Sequence, residues 1–535
     1  MLEREIKFHV PPRRRSALKQ RLGKLGAEAI ALHARYYDTA NQALARAGVA
    51  LRLRREGDVW IQTIKLPGSD ELSRIEWNHP RPEAVLDLSV YEGTHISALL
   101  SELSDRLVCR YITHVTRLKK ELPTASGLAE LAYDEGVIMA GSLVLPIHEL
   151  ELEGISGETS DLFELSREWL TEYGLILELR SKAARGDALA KLASGSKTGL
   201  QAIAELPDTP AQPSRLPPLS EEHQRRLAIP VRNGQPVLAP DVTIGAAYVE
   251  CANDCLNQII RNSTFLAGVD GFKPGPEQRI EYVHQLRVGI RRLRACWQLF
   301  GKDSRPPQPV QDALKQTFRV LGQARDNDVI QTELLPRLIQ AGMPPDSNGS
   351  EASEAPAARA RSELASRPQF QLLLLDLLEH LVLYGDQRAE HARLNRPAAP
   401  LLCKRLNKWL DDIRQSANGF VEAGWDERHR VRKRVKRLRY SMEFAQGTLE
   451  PTGLAPLRSA LVSAQKALGQ LNDLYVAAEY YRGPGAKHSS AMFALGWLAA
   501  TQQHEAQASQ MALQSLAKAG HFNPAPPRTR KRKRG

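Results

Sequence analysis

The chain has 535 residues, 42% hydrophobic content and a formal net charge of +12. That length supports two domains, or three compact units, each with its own core. The surplus of base calls for a polyanionic partner (nucleic acid, acidic membrane or polyphosphate), and the lack of any run of about 18 apolar residues excludes a membrane-spanning helix.

The first residues, MLEREIKFHV, carry charge at once and lack the apolar core of a signal peptide, so a cytoplasmic location is expected. The cysteines, Cys109, Cys251, Cys255, Cys296 and Cys403, are odd in number and scattered. Cys251 and Cys255 lie one helical turn apart without a matching second pair. Buried thiols in a reducing compartment are expected rather than a zinc site.

Residues 1–155 alternate polar and apolar positions between short loops and read as strands. Side chains alternate along a strand, so Glu3, Glu5 and Lys7 share one face and Ile6 and Phe8 the other. Arg52 and Arg54 are opposed by Leu51 and Leu53; Thr63 and Lys65 by Gln62 and Ile64; Arg74 and Glu76 by Ile75 and Trp77. Glu130 and Asp134 are opposed by Leu131 and Tyr133, and Glu149, Glu151 and Glu153 by Leu150 and Leu152. An ordinary antiparallel sheet with one wet face fits any one of these strands. It fits them poorly together, because three strands carry mostly acid and two carry only base. Closing the sheet into a barrel would gather these faces around one lumen. Carboxylates at i, i+2 suit a hard divalent cation such as Mg²⁺ or Mn²⁺, and convergent Arg and Lys suit phosphate oxygens.

Residues 160–205 read as helical, interrupted by the strand-like GLILELRSK at 174–182. Five prolines between Pro207 and Pro218 place a linker at 206–242 after a first domain of 1–205. Residues 243–520 are helical in pattern, with an acidic, low-complexity break at 342–358 that reads as a disordered loop. A basic tail, 521–535, ends the chain.

The helical part contains a repeat. VHQLRVGIRRLR at 283–294 resembles RHRVRKRVKRLR at 428–439, and LGQARD at 321–326 resembles LGQLND at 468–473. The two motifs follow their histidines at nearly the same spacing, which implies two copies of one helical unit. On a helix, His284, Arg287, Arg291 and Arg294 form a basic stripe beside an apolar stripe of Leu286, Ile290, Leu293 and Trp297. His429, Arg432, Lys436 and Arg439 repeat the basic stripe, with Lys433 nearby, beside Val431, Val435, Leu438 and Met442. Solvated helices usually mix signs, since like charges repel. Neither motif contains an acid, so an anion is expected to offset the charge. Lys315, Arg319, Lys404 and Lys466 are further candidates for the same groove.

E-x-E-x-K at Glu3–Lys7 resembles the start of the CYTH domain, the triphosphate tunnel metalloenzymes. The resemblance continues through YYDT at 36–39, LRLRR at 51–55, TIK at 63–65, RIE at 74–76, THVTR at 113–117, ELAYD at 130–134, ELELEG at 149–154 and SKAARG at 181–186. It implies an α+β protein whose N-terminal part is an eight-stranded antiparallel tunnel with flanking helices, using Mg²⁺ or Mn²⁺. Glu3 and Glu5 would bind metal or orient water, and with Lys7 and Lys65 would be catalytic. Glu76, Asp134 and two of Glu149, Glu151 and Glu153 would complete the acidic side. Lys7, Arg52, Arg54, Lys65, Arg74, Arg117, Lys182 and Arg185 would grip triphosphate. Residues 243–515 resemble the CHAD domain, which implies two four-helix bundles related by a pseudo-twofold and a basic groove for inorganic polyphosphate. Asp326 and Asp473 would orient basic side chains there.

The reading that follows is a metal-dependent hydrolase of inorganic triphosphate tethered to polyphosphate, in the cytoplasm and at polyphosphate granules. The same family includes class IV adenylate cyclases and thiamine triphosphatases, whose organic moieties need contacts. Only Tyr36, Tyr37 and Trp60 offer aromatic surface for one. A polyphosphate-binding protein without catalysis would be better served by base alone than by so many acids. A nucleic-acid partner is not favoured, because no recognised motif for one occurs.

Overall fold

A computed structural model describes residues 2–68, 70–194, 219–344, 363–487 and 490–526. Most of the expected linker, the acidic break from 345 and the tail from 527 lie outside the described residues, as does the side chain of Asp326. One compact unit comprises 1–231, 260–279 and 362–383; the other comprises 232–259, 280–361 and 384–535. The unit that holds the strands is thus discontinuous in sequence. Two short stretches from beyond the expected linker belong to it.

In the first unit, β1 (Leu2–His9), β2 (Glu28–Asp38), β3 (Ala50–Glu56), β4 (Val59–Pro67), β5 (Ser73–Arg81), β6 (Val108–Pro123), β7 (Leu128–Ala140) and β8 (Leu143–Ser156) form an antiparallel sheet. The order is β5-β4-β3-β2-β6-β7-β8-β1, and β1 also pairs with β5, which closes the barrel. A two-residue strand, β9 (Ile176–Leu177), adds to β1. Gly57 and Gly141, at φ 59° and 56°, form the tight β3–β4 and β7–β8 connections, where the left-handed backbone that favours glycine is required.

The outward residues Ile6, Phe8, Leu150 and Leu152 are fully buried. Helix α1 (Thr159–Tyr173), which buries Leu162, Phe163, Trp169 and Leu170, packs on β8. The barrel interior is divided along its length. Towards one end, Ala34, Tyr36, Tyr111, Val115, Ile138 and Ile147 form an apolar cluster with Leu189 and Ala190 of helix α2 (Lys182–Ala193). Towards the other, the inward positions are almost all charged. Helix α2 starts cleanly because Ser181 caps it, accepting the Ala184 N–H.

The second unit is helical. Its main helices are α3 (Ile244–Leu266), α4 (Pro276–Phe300), α5 (Gln308–Val329), α6 (Pro368–Gln387), α7 (Ala398–Gln415), α8 (Trp425–Ala445), α9 (Leu454–Arg482) and α10 (Ala491–Ala517); parts of α3 and α6 and the first turn of α4 count to the first unit. Helices α7–α10 pack as a ring: α7 on α8 and α10, α9 on α8 and α10. The two His-containing motifs fall on α4 and α8, and the two LGQ motifs on α5 and α9, the same order in each half. Both apolar stripes are buried as their period requires: Leu286, Ile290, Leu293 and Trp297, and Val431, Val435, Leu438 and Met442. All five cysteines are free, and all but Cys109 are buried.

Glycine contacts test the barrel packing. A Cβ on Gly186 would overlap the Tyr111 ring, which is stacked on Tyr36 at 4.7 Å and donates to the Ala183 carbonyl at 3.1 Å. A Cβ on Gly23, in the exposed helix Arg15–Lys24, meets nothing. Gly186→Ala is expected to cost about 1–3 kcal/mol. Gly23→Ala should gain roughly 0.5–1 kcal/mol from helix propensity. Thermal unfolding of the two variants checks this; equal midpoints would contradict the packing.

Candidate active site

Strand register carries the charged face around the barrel. Across β1 and β8, Glu5 lies opposite Glu153, Lys7 opposite Glu151 and His9 opposite Glu149. Across β7 and β8, Asp134 faces Glu149 and Glu130 faces Glu153. Arg117 on β6 lies opposite Asp134. Lys65 lies opposite Glu76, and Glu3 opposite Arg74 at the closing seam. Side chains of one parity on each strand therefore share the interior.

On one side, Arg117 grips Asp134 bidentately, with both N–O distances 2.7 Å, and reaches Glu151 at 2.6 Å. Lys182, first residue of α2, sits 2.7 Å from Asp134, 2.7 Å from Glu149 and 2.8 Å from Glu151. Burial alone would raise these acids, yet Arg117 and Lys182 hold Asp134 below the usual carboxylate range, and Lys182 and Arg117 hold Glu151 well below it. On the other side, Lys65 pairs with Glu76 and lies 3.7 Å from Glu3. Arg52 reaches Glu76 at 3.4 Å. Against burial, Lys65 and Arg52 lower Glu76 to about 2.

The acids between these groups are under-neutralised. Glu3 is pushed up to about 8 by burial and by its hydrogen bond with Glu76. Glu153 is pushed up to about 7 by burial and by Glu5. Glu5, 2.9 Å from Lys7, is held below its ordinary value by that lysine despite burial. Among the described residues no three carboxylate, thiol or imidazole groups form a ready cation cage. Lysines and arginines stand between the carboxylates instead. The donor chemistry nevertheless fits a hard divalent cation: Glu3, Glu5, Glu76 and Glu153 are all-oxygen donors on three strands joined in sequence around the barrel. The burial and the neighbouring carboxylates that raise Glu3 and Glu153 are what a cation would offset.

Other expected residues take different positions. Arg54 pairs with Glu56, and burial and Arg52 lower it to about 10. The Arg74 guanidinium donates to the Ser73 carbonyl at 2.7 Å. Arg185 is buried behind Glu149, to which it is ion-paired, and donates to the Pro146 carbonyl and to Asp270, both at 2.7 Å. It therefore faces Glu149 from behind, which departs from the phosphate-gripping role expected from SKAARG. Sequence reasoning passed over Lys119, which pairs with Glu130 at 2.5 Å; its i, i+2 spacing from Arg117 was the available signal. It also passed over His9, buried next to Glu149 in register and lowered to about 3 by burial and the neighbouring arginines, against Asp270. Of the three aromatic candidates, Tyr36 belongs to the apolar end, whereas Trp60 packs on His33 and Arg35.

In the helical unit, His284, Arg287, Arg291, Arg294, His429, Arg432, Lys436 and Arg439 are all half-buried, and Lys433 is exposed. Arg287 donates to the Leu321 and Gly322 carbonyls at 3.2 and 3.0 Å, so the first motif is braced on the LGQ segment. Lys436 is lowered to about 6, first by burial, then by Arg432 and Arg291 and more weakly by Arg287, with Asp473 opposing. The two motifs therefore face one another, and Asp473 lies beside their lysine. Arg439 is ion-paired with Glu443 at 2.9 Å, so its charge is already matched. Lys315, Arg319, Lys404 and Lys466 are exposed.

Residues 1–186 match the CYTH domain and residues 255–482 the CHAD domain. The inorganic triphosphatase of Haemophilus influenzae is 30% identical over 194 residues, 34% of this chain and 54% of that protein. An uncharacterized protein of Mycobacterium tuberculosis is 30% identical over 215 residues, 37% of this chain and 39% of its own length. The chain thus spans about half, or less, of these relatives. The crystal structure of the CHAD domain from the plant Ricinus communis is 26% identical, with a TM-score of 0.46, covering 55% of this chain and 99% of that one. No described helix is long and apolar enough to cross a membrane. The order of motifs around the closed barrel and the paired motifs of the helical unit agree with the two domain matches: the chain carries a CYTH domain at residues 1–186 and a CHAD domain at residues 255–482.

Proposed function

We propose that the barrel hydrolyses inorganic triphosphate to diphosphate and phosphate with a divalent metal, Mg²⁺ or Mn²⁺. One observation carries this reading: acids and bases are interleaved around one closed lumen, most of them paired with one another and Glu3 and Glu153 under-neutralised. A metal–triphosphate complex brings both counter-charges at once. Its cation can replace lysine at the carboxylates, and its phosphate oxygens can replace carboxylate at Lys7, Arg52, Lys65, Arg117 and Lys182. The relative named inorganic triphosphatase supports the same substrate class.

Glu3, Glu5, Glu76 and Glu153 would hold the metal. When bound, it would offset phosphoryl charge and lower the pKa of a water. Glu5, ionised and close to Lys7, is placed to hold the attacking water. The basic residues stabilise charge that develops on the leaving diphosphate. The apolar plug of Tyr36, Tyr111 and Leu189 closes the other end, which strengthens these interactions by excluding water. Tyr36, opposite Arg52, is the aromatic side chain beside these charged positions among the described residues, and its ring is already stacked on Tyr111 rather than open to a base or a thiazole ring, which favours the inorganic substrate.

Phosphate release from tripolyphosphate, ATP and long-chain polyphosphate, each with Mg²⁺, Mn²⁺ or EDTA, tests this. Metal-dependent release from tripolyphosphate is expected, with Glu5→Gln lowering it by about 10³-fold or more. Wild-type turnover in Glu5→Gln would overturn the assignment.

The facing motifs of α4 and α8 support a second reading, that the helical unit binds inorganic polyphosphate. Lys436 faces Arg432, Arg291 and Arg287, with Asp473 beside it, and a bound anion would raise its pKa from about 6. A group whose pKa is higher when bound favours binding most below its free value. Affinity is therefore expected to fall as pH rises from 6 to 8, by up to about tenfold per unit for one proton. Lys436→Gln should flatten that profile. Calorimetry with short polyphosphate checks it, with duplex DNA as competitor; displacement by DNA at moderate salt would favour a nucleic-acid partner.

A further inference from the structure

Behind the lumen, a buried ionic chain runs from Glu149 to a residue far away in sequence. Arg185, 3% exposed, divides its guanidinium. Nη1 pairs with Glu149, while Nη2 donates to the Pro146 carbonyl and to Asp270 Oδ1, both at 2.7 Å. The other oxygen, Asp270 Oδ2, accepts from Arg180 Nη2 at 3.0 Å. Arg180 in turn chelates Glu178 and lies 4.5 Å over the Phe265 ring.

Asp270 sits in the turn Gly268–Val269–Asp270–Gly271 with φ 62°, between glycines at 83° and 74°. That conformation disfavours a side chain by roughly 1 kcal/mol. Glycine would adopt it freely, and asparagine would tolerate it as well as aspartate does, so the turn itself does not ask for a carboxylate. The charge is what this position supplies. Despite burial, Arg185 and Arg180 hold Asp270 below the usual carboxylate range. The turn is anchored independently: Val269 is 1% exposed, Phe272 packs on Phe265, and the Thr264 hydroxyl donates to the Leu177 carbonyl at 3.0 Å. Without Asp270, Arg185 would have one acid partner, Glu149, and would stand near Arg180 without the carboxylate they share.

We propose that Asp270 is a positioning residue of the tunnel: acting through Arg185, it fixes the Glu149 carboxylate against Lys182. The barrel's working unit then includes residues 260–279, well beyond the first 186. This rests on the triphosphatase reading of the same lumen.

The test uses the full chain, with Asp270→Asn, Arg185→Gln and the double variant. Measured are kcat for tripolyphosphate, binding of its non-hydrolysable imido analogue by calorimetry, Mn²⁺ binding without substrate by electron paramagnetic resonance, and thermal unfolding. Asp270→Asn is expected to lower kcat and, through Lys182, to weaken the analogue by about tenfold, with Mn²⁺ binding, which falls to Glu3, Glu5, Glu76 and Glu153, changed less than about twofold. In the Arg185→Gln background it should add almost nothing, because both changes break one chain. Wild-type kcat and analogue binding in folded Asp270→Asn, or losses that multiply in the double variant, would overturn the proposal. Should Asp270→Asn not fold, Arg185→Lys decides. An ammonium lacks the fork whose two nitrogens face Glu149 on one side and Pro146 and Asp270 on the other, so its kcat should fall by a similar factor, and wild-type kcat would overturn the proposal. A wild-type protein without phosphate release refutes the triphosphatase reading instead, and the analogue titrations still decide Asp270.

Discussion

A charge removed from water must meet a counter-charge, and the N-terminal barrel is organised around that requirement. Moving one ion into the interior costs several kcal/mol even after relaxation. Here a closed barrel gathers many ions. Asp134 is 0% exposed and Glu149 1% exposed. They remain compatible with folding because Arg117, Lys182 and Arg185 come from β6 and α2 to meet them. Asp134, Glu149 and Glu151 each meet two of these bases, so removing one base would leave its acids buried with a single counter-charge, and the network is more demanding than its individual bonds suggest. It is also a template: a lumen that satisfies itself with alternating acid and base has the pattern of a metal–polyphosphate ligand.

The helical unit meets the same constraint from the other side. Its two motifs bring base to base, and the half-buried lysine between them has its affinity for a proton reduced. Some of the charge is matched locally: Arg439 by Glu443, and Arg292, fully buried, by Asp254 at 2.5 Å and by Gln258 at 2.9 Å. Base is most concentrated around Arg287, Arg291, Arg432 and Lys436. Folding tolerates that concentration because the neighbouring apolar stripes hold α4 and α8 in place.

Much of this was legible in the chain. Period-two alternation identified the inward faces of β1, β3, β4, β5, β7 and β8, because which face a side chain takes is a local property. The 3.6 period identified both apolar stripes of α4 and α8, which are buried residue for residue. What alternation does not reveal is register. Whether Glu5 lies opposite Glu153 or Glu151 depends on pairing between segments about 150 residues apart. Closure of β1 on β5 is likewise non-local. Arg185 looked like a phosphate ligand because it stands with Lys182 in SKAARG. Three residues on along the helix, it is turned about 60° from that lysine, towards the back of Glu149. Asp270 carried no signal, since a lone Asp between glycines reads as an ordinary turn. The expected boundary at the proline-rich stretch follows composition, whereas compactness assigns 260–279 and 362–383 to the strand-bearing unit.

The central claim is that acids and bases of the lumen exchange their mutual partners for a cation and a phosphate anion together. Binding of metal and anion should then be strongly coupled, and the coupling reciprocal. The direct measurement is calorimetry with a non-hydrolysable imido analogue of tripolyphosphate, titrated with and without saturating Mn²⁺, and the reverse titration of Mn²⁺ with and without the analogue. The account predicts that each ligand tightens the other by the same factor, on the order of tenfold or more, about 1.4 kcal/mol. Independent binding, with the analogue as tight in EDTA as in Mn²⁺, would contradict it.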